Sequence, residues 1–191
     1  MAHAFSKAVV ALAAVAGLGT AASAEVLLTY DVSVPNQVTL TATTGNSAAS
    51  VITSNFTGYL LANFFTADQA VTSTLVSGNL TTFSDPSDNS PALFRSGSTD
   101  AGLNVWSFTT ATNATFTAGA QAFTGSATWT LTPAVYASFL SANTSGTIYA
   151  PADDSTDISS ATAIGEYSIV PAPGAIAIMG MGGLLVSRRR R

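Results

Sequence analysis

Ala127-Thr128-Trp129-Thr130-Leu131-Thr132 alternates strictly, with Ala127, Trp129 and Leu131 set between threonines. A period of two is the pleat of a strand that buries one face and wets the other, which places Trp129 in a core. The same alternation recurs to either side. Val26, Leu28, Tyr30, Val32 and Val34 fall on one face, with Thr29, Asp31 and Ser33 on the other. Val38, Leu40 and Ala42 repeat it against Gln37, Thr39 and Thr41. Trp106 with Phe108, then Ala114, Phe116 and Ala118, predict two more strands, and a last one covers residues 163–170. Turn-forming clusters at residues 44–46, 77–79, 85–91, 96–102 and 150–155 separate them. Strands spaced about ten residues apart, without recurring helices, predict an all-β fold, an antiparallel β-sandwich of jelly-roll or Ig-like type.

One short helix is expected directly after the opening motif. Thr132 suits the N-cap, Pro133 suits the first helical position, and Val135, Tyr136, Phe139 and Leu140 share a face. It should end near residues 143–146. Residues 51–65 fit either a buried strand pair or a strand plus a helix.

Charge is sparse and unevenly placed. Charged residues make up 8% of the chain, against a globular average of about 25%. Threonine, serine and alanine take their place, and β-branched side chains favour the pleated sheet. All ten acidic residues lie between Glu25 and Glu166, whereas Arg95 is the one basic residue in that interval. The interior therefore carries about −9, ten acids against one base. Such a surface repels phosphate backbones and excludes nucleic acid as a partner. There is no cysteine, which removes thiol nucleophiles, Cys-ligated zinc and redox chemistry.

The remaining bases mark the ends. Lys7 precedes an apolar run over residues 8–18, too short to span a bilayer, and Ala22, Ser23 and Ala24 form a small-residue cleavage pattern. Residues 1–24 thus read as a secretory signal peptide cut after Ala24. The only histidine, His3, lies within it. At the other end, Pro171, Ala172, Pro173 and Gly174 break the chain, residues 175–186 are apolar or glycine, and Arg188, Arg189, Arg190 and Arg191 close it. A helix over 175–187 would be about 20 Å long, short of the roughly 30 Å hydrocarbon core. Snorkelling arginines and local thinning narrow that gap. The arginines hold their end on the cytoplasmic side and leave residues 25–170 outside. The domains expected are therefore a signal peptide (1–24), an exported β-sandwich (25–170) and a hydrophobic sorting or anchor segment (171–191).

The last segment resembles the PEP-CTERM sorting domain, a proline motif followed by a short hydrophobic helix and a terminal arginine cluster. Pro171 and Pro173 match the motif and Arg188 to Arg191 match the membrane stop. Ala172 stands where the family usually carries glutamate. The resemblance implies recognition by an exosortase, a membrane cysteine protease or transpeptidase, after transient anchoring in the inner membrane. It also implies an association with exopolysaccharide production in biofilm-forming bacteria. Physical reasoning alone reaches export to the cell envelope or beyond, with a C-terminal anchor.

Candidate chemistry in the exported domain is thin. No histidine or lysine remains after signal removal to serve as a base, so Ser-His and Ser-Lys hydrolysis are excluded. A carboxylate pair of the glycosidase kind is the surviving catalytic option. Asp153, Asp154 and Asp157 crowd one loop, and Asp85, Asp88 and Asn89 another. Either group suits calcium, which takes six to eight oxygen ligands, and either equally suits turns, where aspartate bonds its own backbone. Trp106, Trp129, Tyr59, Tyr136 and Tyr149 are candidates for a sugar-stacking surface, with Trp129 more at home in the core. The expected function is a non-enzymatic cell-surface or matrix protein acting in adhesion or biofilm. The alternatives are a carbohydrate-binding module and, more remotely, a carboxylate glycosidase.

Overall fold

In a computed structural model that describes residues 24–81, 83–93, 99–109 and 112–170, the alternating segments become strands. They run β1 (Val26–Asp31), β2 (Gln37–Ala42), β3 (Val51–Ser54), β4 (Tyr59–Leu61), β5 (Ser73–Gly78), β6 (Ala92–Leu93), β7 (Leu103–Trp106), β8 (Asn113–Phe116) and β9 (Ser126–Leu131). The helix α1 (Pro133–Leu140) follows, then β10 (Ser145–Ala150) and β11 (Thr162–Ile169). The all-β expectation holds. The signal peptide, Ala22, Arg95, the Pro171–Ala172–Pro173 motif, the hydrophobic segment and Arg188 to Arg191 lie outside the described residues.

Nine strands share one sheet in the order β5-β9-β2-β1-β11-β10-β4-β7-β6, and β3 pairs with β8 in a separate ladder. Wholly antiparallel pairing was the expectation, and one pair departs from it. The first and last strands, β1 and β11, lie side by side and parallel, with Tyr30 opposite Ile169. Parallel neighbours need a long crossover, and here the rest of the described fold forms it. The two edge strands, β5 and β6, bring Cα atoms within 8 Å of one another, so the nine-stranded sheet curls almost into a barrel.

Inside the curl the opening motif behaves as its period dictates. Ala127 and Trp129 are fully buried, while Thr128 meets Thr39 of β2 through a 2.8 Å hydroxyl contact. Tyr30, Phe64, Phe139 and Tyr167 form a ring cluster with centroids 4.9–6.3 Å apart. Aromatic pairs at such separations add about 0.5–1.5 kcal/mol beyond burial. Each buried tyrosine hydroxyl in it finds a carbonyl, Tyr30 that of Asn143 at 2.8 Å and Tyr167 that of Ala62 at 3.2 Å. β1 is central, so Leu27 on its other face is buried as well as Leu28 and Tyr30. Gly58 and Gly125 take positive φ (72° and 80°) where backbone crosses closely, Gly58 against Val105 and Gly125 against Asn79. Only glycine adopts that conformation without strain or a clashing Cβ.

The helix starts where expected. The Thr132 hydroxyl accepts from the Val135 amide at 3.3 Å, and Pro133 follows it. It stops at Leu140, short of residues 143–146, because the Asn143 amide turns back to the Phe64 carbonyl at 2.8 Å. Phe139 alone is buried, and Leu140 is exposed rather than on the packed face. Residues 51–65 resolve as strands, β3 and β4, in different sheets.

Candidate functional site

The near-closure of the barrel leaves a cavity of about 430 Å³ at its seam. On one side stand residues 71–75, which include the start of β5; on the other stand Ala92 and Leu93 of β6. Five consecutive residues line it, so the backbone edge of that segment faces the space along with side chains of both faces. β5 pairs only with β9, and β6 only with β7, so both strands keep a free edge here. β6 is two residues long and β5 shifts register between Leu75 and Ser77, which explains why the edges do not zip together. Trp129 laces the seam. From β9 its indole donates 2.8 Å to the Pro91 carbonyl, immediately before β6.

Trp106 and Phe108 complete the far wall, with Asn89 beside them. Trp106 is 6% exposed, and its Nε1 has no acceptor among the described residues. A buried donor left unpaired costs about 1–3 kcal/mol. The Trp106 ring touches Phe108 at 4.5 Å and 56° and Phe56 at 5.4 Å and 84°. Phe56 and Phe108 are both exposed, yet no two of these rings in contact are coplanar. Among the described residues, the cavity lining contains no charged side chain. A carboxylate pair at its wall, which glycosidase chemistry would need, therefore finds no support here.

The acidic loops lie elsewhere. Asp153, Asp154 and Asp157 do converge, with carboxylate oxygens within 4.8 Å of one another and all three half-buried. They offer three of the six to eight oxygens calcium takes. Turn chemistry already uses two of them. Asp157 accepts from the Asp153 amide at 3.1 Å, and Asp154 accepts from the amide (2.8 Å) and hydroxyl (2.5 Å) of Thr156. In the other loop, Asp85 accepts from Ser87, and Asp88 accepts from the Ser90 amide (2.9 Å) and the Thr109 hydroxyl (2.7 Å). Desolvation opposes ionisation of Asp88, but the bonds from Ser90 and Thr109 outweigh it and hold the carboxyl below its usual range.

Sequence reasoning placed Trp129 in the core and left Trp106 open; the structure buries both and puts both at the cavity. It missed residues 71–75, where the run Val-Thr-Ser-Thr-Leu lacks a clean apolar face, and it read Asn89 only as a loop oxygen. Asn89 takes a left-handed φ of 67°, a conformation asparagine tolerates. No helix among the described residues is long and apolar enough to cross a membrane. Comparison with protein-family models, curated proteins and solved structures finds no match for this chain.

Proposed function

We propose that the chain is an exported, non-enzymatic cell-surface or extracellular-matrix protein, sorted through a PEP-CTERM-like tail and associated with exopolysaccharide, biofilm or adhesion. The observation that carries this reading is the confinement of positive charge to the ends. Apart from Arg95, every lysine and arginine lies within residues 1–24 or 188–191. In a bilayer-sorted chain that asymmetry has a physical role, because arginines fix the cytoplasmic end of a hydrophobic segment. The strand boundaries support it. β1 begins at Val26, just after the expected cut at Ala24, and β11 ends at Ile169, just before Pro171. Cleavage at both places would remove no strand of the described residues. The register supports it further: β1 enters beside the middle of β11, and because the two strands are parallel, with Tyr30 opposite Ile169 at the far end, the two processed ends leave from opposite ends of one strand pair.

In this reading the exported unit is a β-sandwich of the jelly-roll or Ig-like kind, with the β3–β8 ladder as its second sheet. Its partners are an exosortase-like processing enzyme, the inner membrane through residues 171–191, and extracellular polysaccharide or cell-surface components. Replacing Arg188 to Arg191 together with glutamine tests it in the native host. The variant should accumulate unprocessed or in the wrong compartment; normal surface delivery of that variant would remove the role assigned to the arginines. A second reading, a carbohydrate-binding module, is favoured by one observation, the uncharged aromatic cavity at the barrel seam.

A further inference from the structure

We infer that the seam cavity is an end-on pocket for one neutral sugar ring at the terminus of a glycan, with the buried Trp106 indole N–H as its fixed donor. This rests on the carbohydrate-binding reading of the exported domain. Four observations narrow the occupant. Among the described residues the lining has no charged side chain, so a charged ligand would find no partner from them there. The surrounding domain holds ten acids against one base, which turns away acidic sugars as well.

The occupant must be amphipathic. Trp106, Phe108 and Leu93 offer an apolar wall for the C–H face of a ring, while Thr72, Thr74 and Asn89 offer polar groups for its hydroxyls. Trp106 Nε1 lacks an acceptor among the described residues, and a ring or hydroxyl oxygen supplies one. A purely hydrocarbon ligand would leave that donor unpaired.

Two geometric facts set the mode. An inserted peptide strand would need two strand spacings, about 9.5 Å, between its neighbours. β5 and β6 approach within 8 Å, so the seam is too narrow for one. The buried Trp106 meets its exposed neighbours Phe108 and Phe56 at 56° and 84°, so neither extends its ring into a flat platform for successive sugars along a chain. A volume of about 430 Å³ sits at the small end of ligand pockets. A single terminal ring fits all of these.

The chain has two tryptophans, and both line the cavity, so intrinsic fluorescence reads the site directly. The protein exported by its host would be titrated with the methyl glycosides of glucose, galactose, mannose and N-acetylglucosamine, and with a tetrasaccharide of whichever binds. At least one glycoside should give a saturable change, and its tetrasaccharide should bind no tighter. Trp106→Phe keeps an aromatic ring and removes the N–H, and should weaken that binding about tenfold. Asn89→Gly, which removes the exposed side chain and keeps the left-handed backbone free of strain, should weaken it in the same sense with the melting curve little changed. Glycan binding undiminished by both substitutions would overturn the pocket while sparing the carbohydrate-binding reading. No response to any of the neutral sugars would overturn both, as would a response to a long-chain alcohol alone.

Discussion

Asp100 is buried, 8% exposed, in a fold whose described residues include no basic side chain to pair with it. It is held instead by donors. The Ser155 amide (2.9 Å) and hydroxyl (2.7 Å) and the Gly102 amide all point at its carboxylate. Hydrogen bonds to a charge stabilise more than neutral ones, and their loss strands buried donors. Asp100→Ala should therefore cost about 3 kcal/mol, read as a lowered denaturant midpoint, while Asp100→Asn should recover part of it. A midpoint unchanged by Asp100→Ala would contradict this account of the two loops. At this scale the sequence showed unevenly. Asp153, Asp154 and Asp157 are neighbours in the chain, so their convergence was readable from spacing alone. The tie between Asp100 and Ser155 crosses 55 residues, and no local pattern announces a contact of that range.

Elements were legible where side chains alternate and illegible where the sheet runs out. β9, β2 and β1 carry a period of two because one or both of their faces meet the core. β5, at the sheet's edge, has a burial pattern in which no residue is fully buried, so its side chains carry little apolar signal. β6 is held in place by its pairing with β7 and has too few residues to show any period. The helix was readable because capping chemistry is local. Thr132→Ala removes the acceptor for the Val135 amide and should destabilise the protein by about 1 kcal/mol, with Thr132→Ser close to neutral. Equal melting temperatures for Thr132→Ala and the wild type would show that the cap contributes nothing. Its early end was not readable, since the stop is imposed by Phe64 from another part of the chain.

For the whole molecule, the aromatic core sets the alkaline limit, and in the proposed reading the charge pattern sets the destination. Burial pushes Tyr30 up to about 12 and raises Tyr59 and Tyr167 further. A raised folded value means stability that is complete below the unfolded value near 10 and lost as pH climbs through the folded one. Tyrosinate absorbance of these three should therefore appear together with unfolding, above pH 10 and cooperatively, and not as independent titrations in the native fold. Their smooth ionisation in a folded chain would contradict their burial. The cavity at the seam, by contrast, was invisible in sequence, because it arises from the failure of β5 and β6 to pair rather than from any motif. The central claim, export followed by removal of both charged ends, is tested most directly by the intact mass of the protein recovered from the surface or medium of its host. The account predicts a polypeptide that begins at Glu25 and has lost Arg188 to Arg191; a recovered chain that still carries Met1 and Arg191 would contradict it.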